Sequence, residues 1–223
     1  MRKRIRILWL SYYDQSISFP ESFDFVTDEG AMDRFRNVDM YDLLPSTARS
    51  AASFEENVFM ANVFETKDEC KVRYIGFEAA DAETDVQYRV YLLAPEAKSP
   101  VDGTLLAEGE THFTYAGYDK IDMGKEVTIP QGSRYSVVVK AGNNGKSELV
   151  FAIDLNLAGT EFYGFEKLNY YAQTVVNPGE SYVGTGDAWI DWTEIIDELG
   201  KLNEKLNNNG FVYDNFPIRS YRL

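Results

Sequence analysis

The sequence predicts an all-β fold, an antiparallel β-sandwich with one helix in its C-terminal region. Three observations carry this. Several short segments alternate apolar and polar residues with period two, which is the mark of half-buried strands. Gly, Pro, Asn and Asp clusters separate them at short intervals, as antiparallel reversals require and βαβ crossovers do not. Aromatics are abundant, with 15 Tyr, 14 Phe and 3 Trp among 223 residues, and such side chains pack well on a pleated surface.

Taken along the chain, Ile5 to Tyr13 reads as a first strand. Thr27 to Arg49 reads as a long loop with a short strand near Met40-Tyr41-Asp42, and Asn57 to Glu65 as a strand. Val72 to Phe77 changes parity near Gly76, which predicts a bulge there. Val86, Tyr88, Val90 and Leu92 share one strand face, as do Tyr135, Val137 and Val139, and again Leu149, Phe151, Ile153 and Leu155. Asp102-Gly103, Pro130-Gln131-Gly132, Asn143-Asn144-Gly145 and Pro178-Gly179 supply the reversals. The exception to strand periodicity is Ile195, Leu199, Leu202 and Leu206, an apolar stripe at helical spacing. Asp191 with Glu194 resembles a capping box and Asn207-Asn208-Asn209-Gly210 a stop, so a helix is expected over 193–209.

The net charge is −14, from 36 acids and 22 bases. Such a surface repels phosphate backbones and argues against nucleic-acid binding. Acidic clusters at Asp81/Glu83/Asp85 and Asp28/Glu29/Asp33 would suit calcium, although solvated loop charge is the commoner role. No other cofactor motif is present. One cysteine, Cys70, and one histidine, His112, allow neither an intramolecular disulfide nor a Cys/His zinc cluster. The opening Met1-Arg2-Lys3-Arg4 run precedes an apolar stretch interrupted by Arg6 that is too short for an export signal. No stretch reaches the length of a membrane span.

Catalytic constellations are missing. Cys70 lacks the context of a papain-type nucleophile. It alternates with Val72 and Tyr74 on a strand face, so a buried, structural thiol is expected. Nothing in the sequence pairs it with His112. Gly184-Thr185-Gly186-Asp187 is too short for a phosphate-binding loop. For binding, Trp189 and Trp192 flank Asp191 beside a glycine-rich turn, and Tyr170 and Tyr171 precede Pro178-Gly179. Exposed rings stack on sugar faces while a neighbouring carboxylate bonds hydroxyls. The competing expectation places Trp189 in the sandwich and Trp192 beneath the helix, where large aromatics usually sit.

Three groups of segments, in order, carry a family resemblance. The first is Ser11-Tyr12-Tyr13-Asp14-Gln15-Ser16-Ile17 with Pro20-Glu21-Ser22-Phe23-Asp24-Phe25. The second is Ala61-Asn62-Val63-Phe64-Glu65, Ile75-Gly76-Phe77-Glu78, Tyr88-Arg89-Val90-Tyr91, Gly103-Thr104-Leu105, Ala116-Gly117-Tyr118-Asp119 and Tyr135-Ser136-Val137-Val138-Val139-Lys140. The third is Asn177-Pro178-Gly179-Glu180-Ser181-Tyr182-Val183 with Asp187-Ala188-Trp189-Ile190-Asp191. Together they resemble the lectin-like domain found C-terminal to the papain-like domain of secreted or cell-surface bacterial cysteine proteases.

The resemblance implies a jelly-roll-like sandwich over 15–223, with 1–14 the remnant of a preceding protease strand. It implies a non-catalytic accessory module, extracellular or at the cell surface, whose partner is a cell-wall or host glycan. The alternative role is structural, packing on and orienting a papain-like protease domain, and a hydrolase is the remote third. Trp9, Leu10, Tyr12 and Tyr13 are too many large apolar groups for one side of a strand. They are the expected interface, against a protease domain or in a homodimer. Two departures from the family stand out: the helix inserted before Phe216-Pro217-Ile218, and the loose match over 27–55.

Overall fold

A computed structural model describes residues 37–41, 48–155, 160–162, 165–168, 175–186, 188–205 and 211–223. Among these residues the chain forms fifteen strands and one helix. In order they are β1 (Asn37–Asp39), β2 (Ala48–Phe54), β3 (Phe59–Glu65), β4 (Cys70–Ala79), β5 (Thr84–Leu93), β6 (Gly103–Phe113), β7 (Gly117–Ile129) and β8 (Arg134–Asn143). They continue with β9 (Lys146–Leu155), β10 (Thr160–Phe162), β11 (Phe165–Leu168), β12 (Ser181–Gly184), β13 (Trp189–Asp191), α1 (Trp192–Lys205), β14 (Phe211–Tyr213) and β15 (Ile218–Arg222).

Two antiparallel sheets make the sandwich. The smaller runs β1-β15-β4-β7, and the larger runs β13-β12-β3-β8-β5-β6, with β9 joining β8 and carrying β2 and β14. The β10–β11 pair forms a ribbon of its own. The alternation read from the sequence explains the core. Val86, Tyr88 and Val90 of β5 and Tyr135, Val137 and Val139 of β8 face Val72, Ile75 and Phe77 of β4 and Ile121, Val127 and Ile129 of β7 in one buried cluster. Asn144 (φ 53°) and Gly145 (φ 80°) turn β8 into β9, a conformation that Asn-Gly adopts at little cost.

The helix closes one end of this core. Trp192 is 1% exposed, packs 4.9 Å from the Phe216 ring and donates its indole N–H to the Asp214 carbonyl. Ile195, Ile196 and Leu199 pack against the cluster beside it. Asp191 is the N-cap: its Oδ1 accepts the Thr193 amide at 2.9 Å and the Thr193 hydroxyl at 2.6 Å. The last strand is held by a buried polar network. Asn62 Nδ2 donates to the carbonyls of Phe216 and Ile218, and the Ser181 hydroxyl lies between Asn62 Oδ1 (2.7 Å) and Asn215 Oδ1 (2.6 Å).

Several expectations are corrected in detail. The short early strand is Asn37–Asp39, one step before Met40. Tyr41 instead leaves the strand, stacks on Phe64 and donates its hydroxyl to the Val63 carbonyl. The bulge of β4 falls between Val72 and Tyr74. Gly76 instead makes room for a neighbour, because the Tyr118 hydroxyl fills the space that a Cβ there would take. Leu202 is 49% exposed, so among the described residues the helical stripe meets the core through Ile195 and Leu199. Cys70 is half-buried, where full burial was expected. Residues 1–36, including the expected first strand, lie outside the described residues.

Candidate functional site

The outer face of the larger sheet gathers the most chemistry. Met60 and Phe64 of β3 point into the core, so Phe59, Ala61 and Val63 point away from it. By the same alternation Gln87 and Arg89 of β5, Glu108 and Glu110 of β6, and Tyr182 and Gly184 of β12 share that outer face. Register fixes their neighbours. Asp191, Tyr182, Ala61, Val138, Arg89 and Glu108 lie opposite one another strand by strand, and Trp189, Gly184 and Phe59 form the adjoining row.

The Trp189 indole packs over Gly184. A Cβ at that glycine would meet indole Cδ2 at 2.6 Å and Cε3 at 2.7 Å, so the glycine lets the ring rest on the sheet. The Phe59 ring follows at 6.3 Å, and the Arg89 guanidinium lies 5.7 Å from the Phe59 centroid. Arg89 faces Glu108 at 3.8 Å. At the β5–β6 edge an open trough of about 390 Å³ is lined by residues of both strand faces: Gln87, Tyr88, Arg89, Glu108, Gly109 and Glu110. The 94–102 loop flanks this face: the Ser136 hydroxyl donates to the Pro100 carbonyl and Arg134 to the Ala97 carbonyl at 3.1 Å. Trp189 Nε1 is buried without a hydrogen-bond partner among the described residues.

Of the residues singled out in the sequence, Trp189 is on this face, half-buried. Trp192 is not: its ring is enclosed in the core and offers no surface for stacking, which corrects its assignment to a ligand site. Asp191 has a structural role, capping α1 and accepting the Gly179 amide at 2.6 Å. Tyr170 and Tyr171, and likewise Trp9, Leu10, Tyr12 and Tyr13, lie outside the described residues. Phe59, Arg89, Gln87, Glu108 and Glu110 did not stand out in the sequence. The outward phase of Gln87 and Arg89 on β5 was legible, but that of Phe59, Glu108 and Glu110 was not, nor which strands stand side by side.

The titratable groups elsewhere do structural work. His112 is exposed between Asp85 (2.8 Å to Nδ1) and Glu83 (3.1 Å to Nε2), and hydrogen bonds to these two carboxylates raise its pKa. Two of the three acids in the Asp81/Glu83/Asp85 cluster therefore face an imidazole. Among the described residues no group of three or more His, Cys, Asp or Glu is placed to hold a metal ion. Asp28, Glu29 and Asp33 lie outside them. Asp122 is pulled down to about 2 by the Arg73 guanidinium and the Gly124 amide. Burial pushes the Cys70 thiol up, against an opposing pull from Arg222. Tyr135, buried beside Asp39, is pushed well above the ordinary phenol. Cys70 and His112 sit on different sheets, β4 and β6, and form no dyad. A second cleft beside α1 is lined by Val176, Thr193, Ile196, Asp197, Gly200, Val212 and Tyr213. No described helix is long and apolar enough to cross a membrane.

Comparison with known proteins agrees with this architecture. The family model described as lectin like domain matches residues 40–203, a span that includes every residue of the outer-face rows. Among solved structures, the clostridial cysteine protease Cwp84 after propeptide cleavage is similar at 19% identity and a TM-score of 0.51, over 83% of this chain and 39% of that one. A second structure holds the cysteine protease and lectin-like domains of Cwp84, described as a surface layer associated protein of Clostridium difficile. It is similar at 18% identity and a TM-score of 0.47, over 80% of this chain and 36% of that one. The chain thus spans less than two fifths of the length of either. At 19% identity the likeness to the first is one of fold. No curated protein matches the chain.

Proposed function

We propose, from the premise that this chain belongs to the lectin-like domain family, that it is a non-catalytic module that binds carbohydrate on the outer face of its larger sheet. The observation that carries this reading is the line of Trp189, Phe59 and Arg89, with Gln87, Glu108 and Glu110 beyond. Aromatic faces cover the apolar side of a pyranose, and fixed donors and acceptors orient its hydroxyls. The family name alone would not support sugar binding, because a fold hosts many functions. The site residues do. Rings set beside fixed donors and acceptors on an open sheet face are the chemistry of recognition.

A glycan array probed with the whole chain, followed by calorimetry on any hit, tests this. Binding by the wild type that is lost in Trp189→Ala and in Phe59→Ala, with both variants folded by circular dichroism, is the expected result. Equal binding by the wild type and both variants, or no hit at all, overturns it.

A second reading has its own support. The similar chain is a cysteine protease of which this chain spans 39%. The module would then work beside a papain-like domain at a cell surface, as the described location of that relative suggests by analogy. Co-sedimentation with a papain-like peptidase domain, compared with the module alone, tests that pairing.

A further inference from the structure

The proposed site has a direction as well as a location. Its groups are strung across the strands instead of ringed around one cavity. Trp189 is on β13 at one side, Phe59 on β3 in the middle, and Glu108 and Glu110 on β6 at the far side. Six strands in the order β13-β12-β3-β8-β5-β6 separate the ends, and at ~4.8 Å per neighbouring pair that is a span of about 24 Å. One sugar ring, or two, would engage only part of it. Between the ends the face carries Tyr182 on β12 and Lys140 on β8 beside three small, buried positions, Gly184, Ala61 (0% exposed) and Val138 (2%). All three are covered, Gly184 by the Trp189 ring, so the surface a ligand meets is made by the half-exposed Trp189, Tyr182 and Phe59 and the exposed Arg89.

The charges on the face point to the ligand's class. Arg89 is offset by Glu108 at 3.8 Å, and Lys140 and Glu110 balance each other in number. The whole chain carries −14. A polymer of uronic acids or phosphodiesters would approach against that field, and nothing along the described row presents an excess of positive charge to receive it. Paired carboxylates, an amide and a guanidinium instead offer alternating acceptors and donors, which suits uncharged hydroxyls.

From this placement we infer that the site takes a neutral, unbranched polysaccharide, lying across the strands and gripped by several consecutive interior units instead of by a chain end. The inference rests on the carbohydrate-binding reading above. Its consequence is a dependence on length. A disaccharide seated on Trp189 and Phe59 leaves the Glu108–Glu110 end unused, whereas a hexasaccharide engages both ends.

Calorimetry with cello-, xylo- and chito-oligosaccharides of two to six units, beside polygalacturonate as an anionic polymer, tests it on the whole chain. In the series that binds, affinity is expected to rise at least tenfold from the dimer to the hexamer. Trp189→Ala should weaken both lengths, and a Glu108→Gln, Glu110→Gln double variant should weaken the hexamer only. Polygalacturonate should bind more weakly than the neutral hexamer. If Trp189→Ala abolishes binding but dimer and hexamer bind alike, or the anionic polymer binds best, this inference fails while the sugar site stands. If binding is indifferent to Trp189 and Phe59, or no oligosaccharide binds, the site itself fails and the inference with it. Thermal unfolding of each variant separates lost contacts from lost fold.

Discussion

Two tryptophans three residues apart have opposite fates, and the difference is testable residue by residue. Trp192 is enclosed by Phe151 and Phe216 and bonded to the Asp214 carbonyl. Truncating it leaves a cavity, and Trp192→Ala is expected to cost roughly 3–5 kcal/mol in denaturant unfolding. Trp189→Ala should cost clearly less, because its ring lies on the surface of the sheet. His112 offers a second test, and as the single histidine it gives one imidazole signal in a proton NMR titration. Its folded pKa is raised, so its contribution to stability is complete below the ordinary value of about 6.5 and is lost as pH rises through the raised folded value. The titration midpoint should lie above that of an unfolded control and return toward it in Asp85→Asn. Asp122 has the opposite sign. Its contribution is present above the usual carboxylate range and is lost as pH falls through about 2. Both groups are exposed, so the effects on stability are small. Cys70 is half-buried with a thiol held above its ordinary pKa, and native alkylation near neutral pH should be slow beside that of the unfolded chain.

At the scale of elements, α1 depends on its cap. Asp191 fixes the helix start through Thr193 and ties it to the 177–180 turn through the Gly179 amide, while Asn177 and Glu180 lock that turn from within. Asp191→Ala therefore removes a helix cap and a turn anchor together. The cap alone is worth ~0.5–2 kcal/mol, and the loss should exceed that of a cap that serves a helix only. Asp191→Asn keeps an acceptor for the helix and should recover part of it, as read by urea midpoints at unchanged slope. A sequence-level capping box named the right residue. It did not reveal the second bond, which requires the Pro178-Gly179 turn to return beside β13.

The whole molecule is tied together at Asn62. Its side chain, on β3 of the larger sheet, bonds the carbonyls of Phe216 and Ile218, and β15 begins at that point to enter the smaller sheet. Asn62→Ala leaves buried carbonyls and the Ser181 hydroxyl short of partners, a loss of roughly 1–3 kcal/mol. Because this link joins the two sheets through the C-terminal segment, limited proteolysis should reach residues 214–223 earlier in the variant than in the wild type. Uniform slowing with no change in cleavage order would argue that the segment is held mainly by its strand pairing.

The amino-acid sequence by itself determined the all-β class, the strands β3, β4, β5, β8 and β9, the Asn144-Gly145 hairpin turn and the single helix, because each depends on local period, glycine and proline chemistry or a nearby cap. It determined that Val86, Val90, Val137 and Val139 face one way and Arg89 and Gln87 the other. It also supplied Trp189. The three-dimensional structure alone decided that Trp192 is core, that Leu202 is half-exposed, and that the β4 bulge falls before Tyr74. Above all it decided the site. Phe59, Arg89 and Trp189 are 30 and 100 residues apart along the chain, and only the pairing order of β13, β12, β3, β8 and β5 sets them side by side. Strand alternation is a local property of the backbone. Strand order is set by which faces best bury one another across the whole fold, and no segment carries that choice alone.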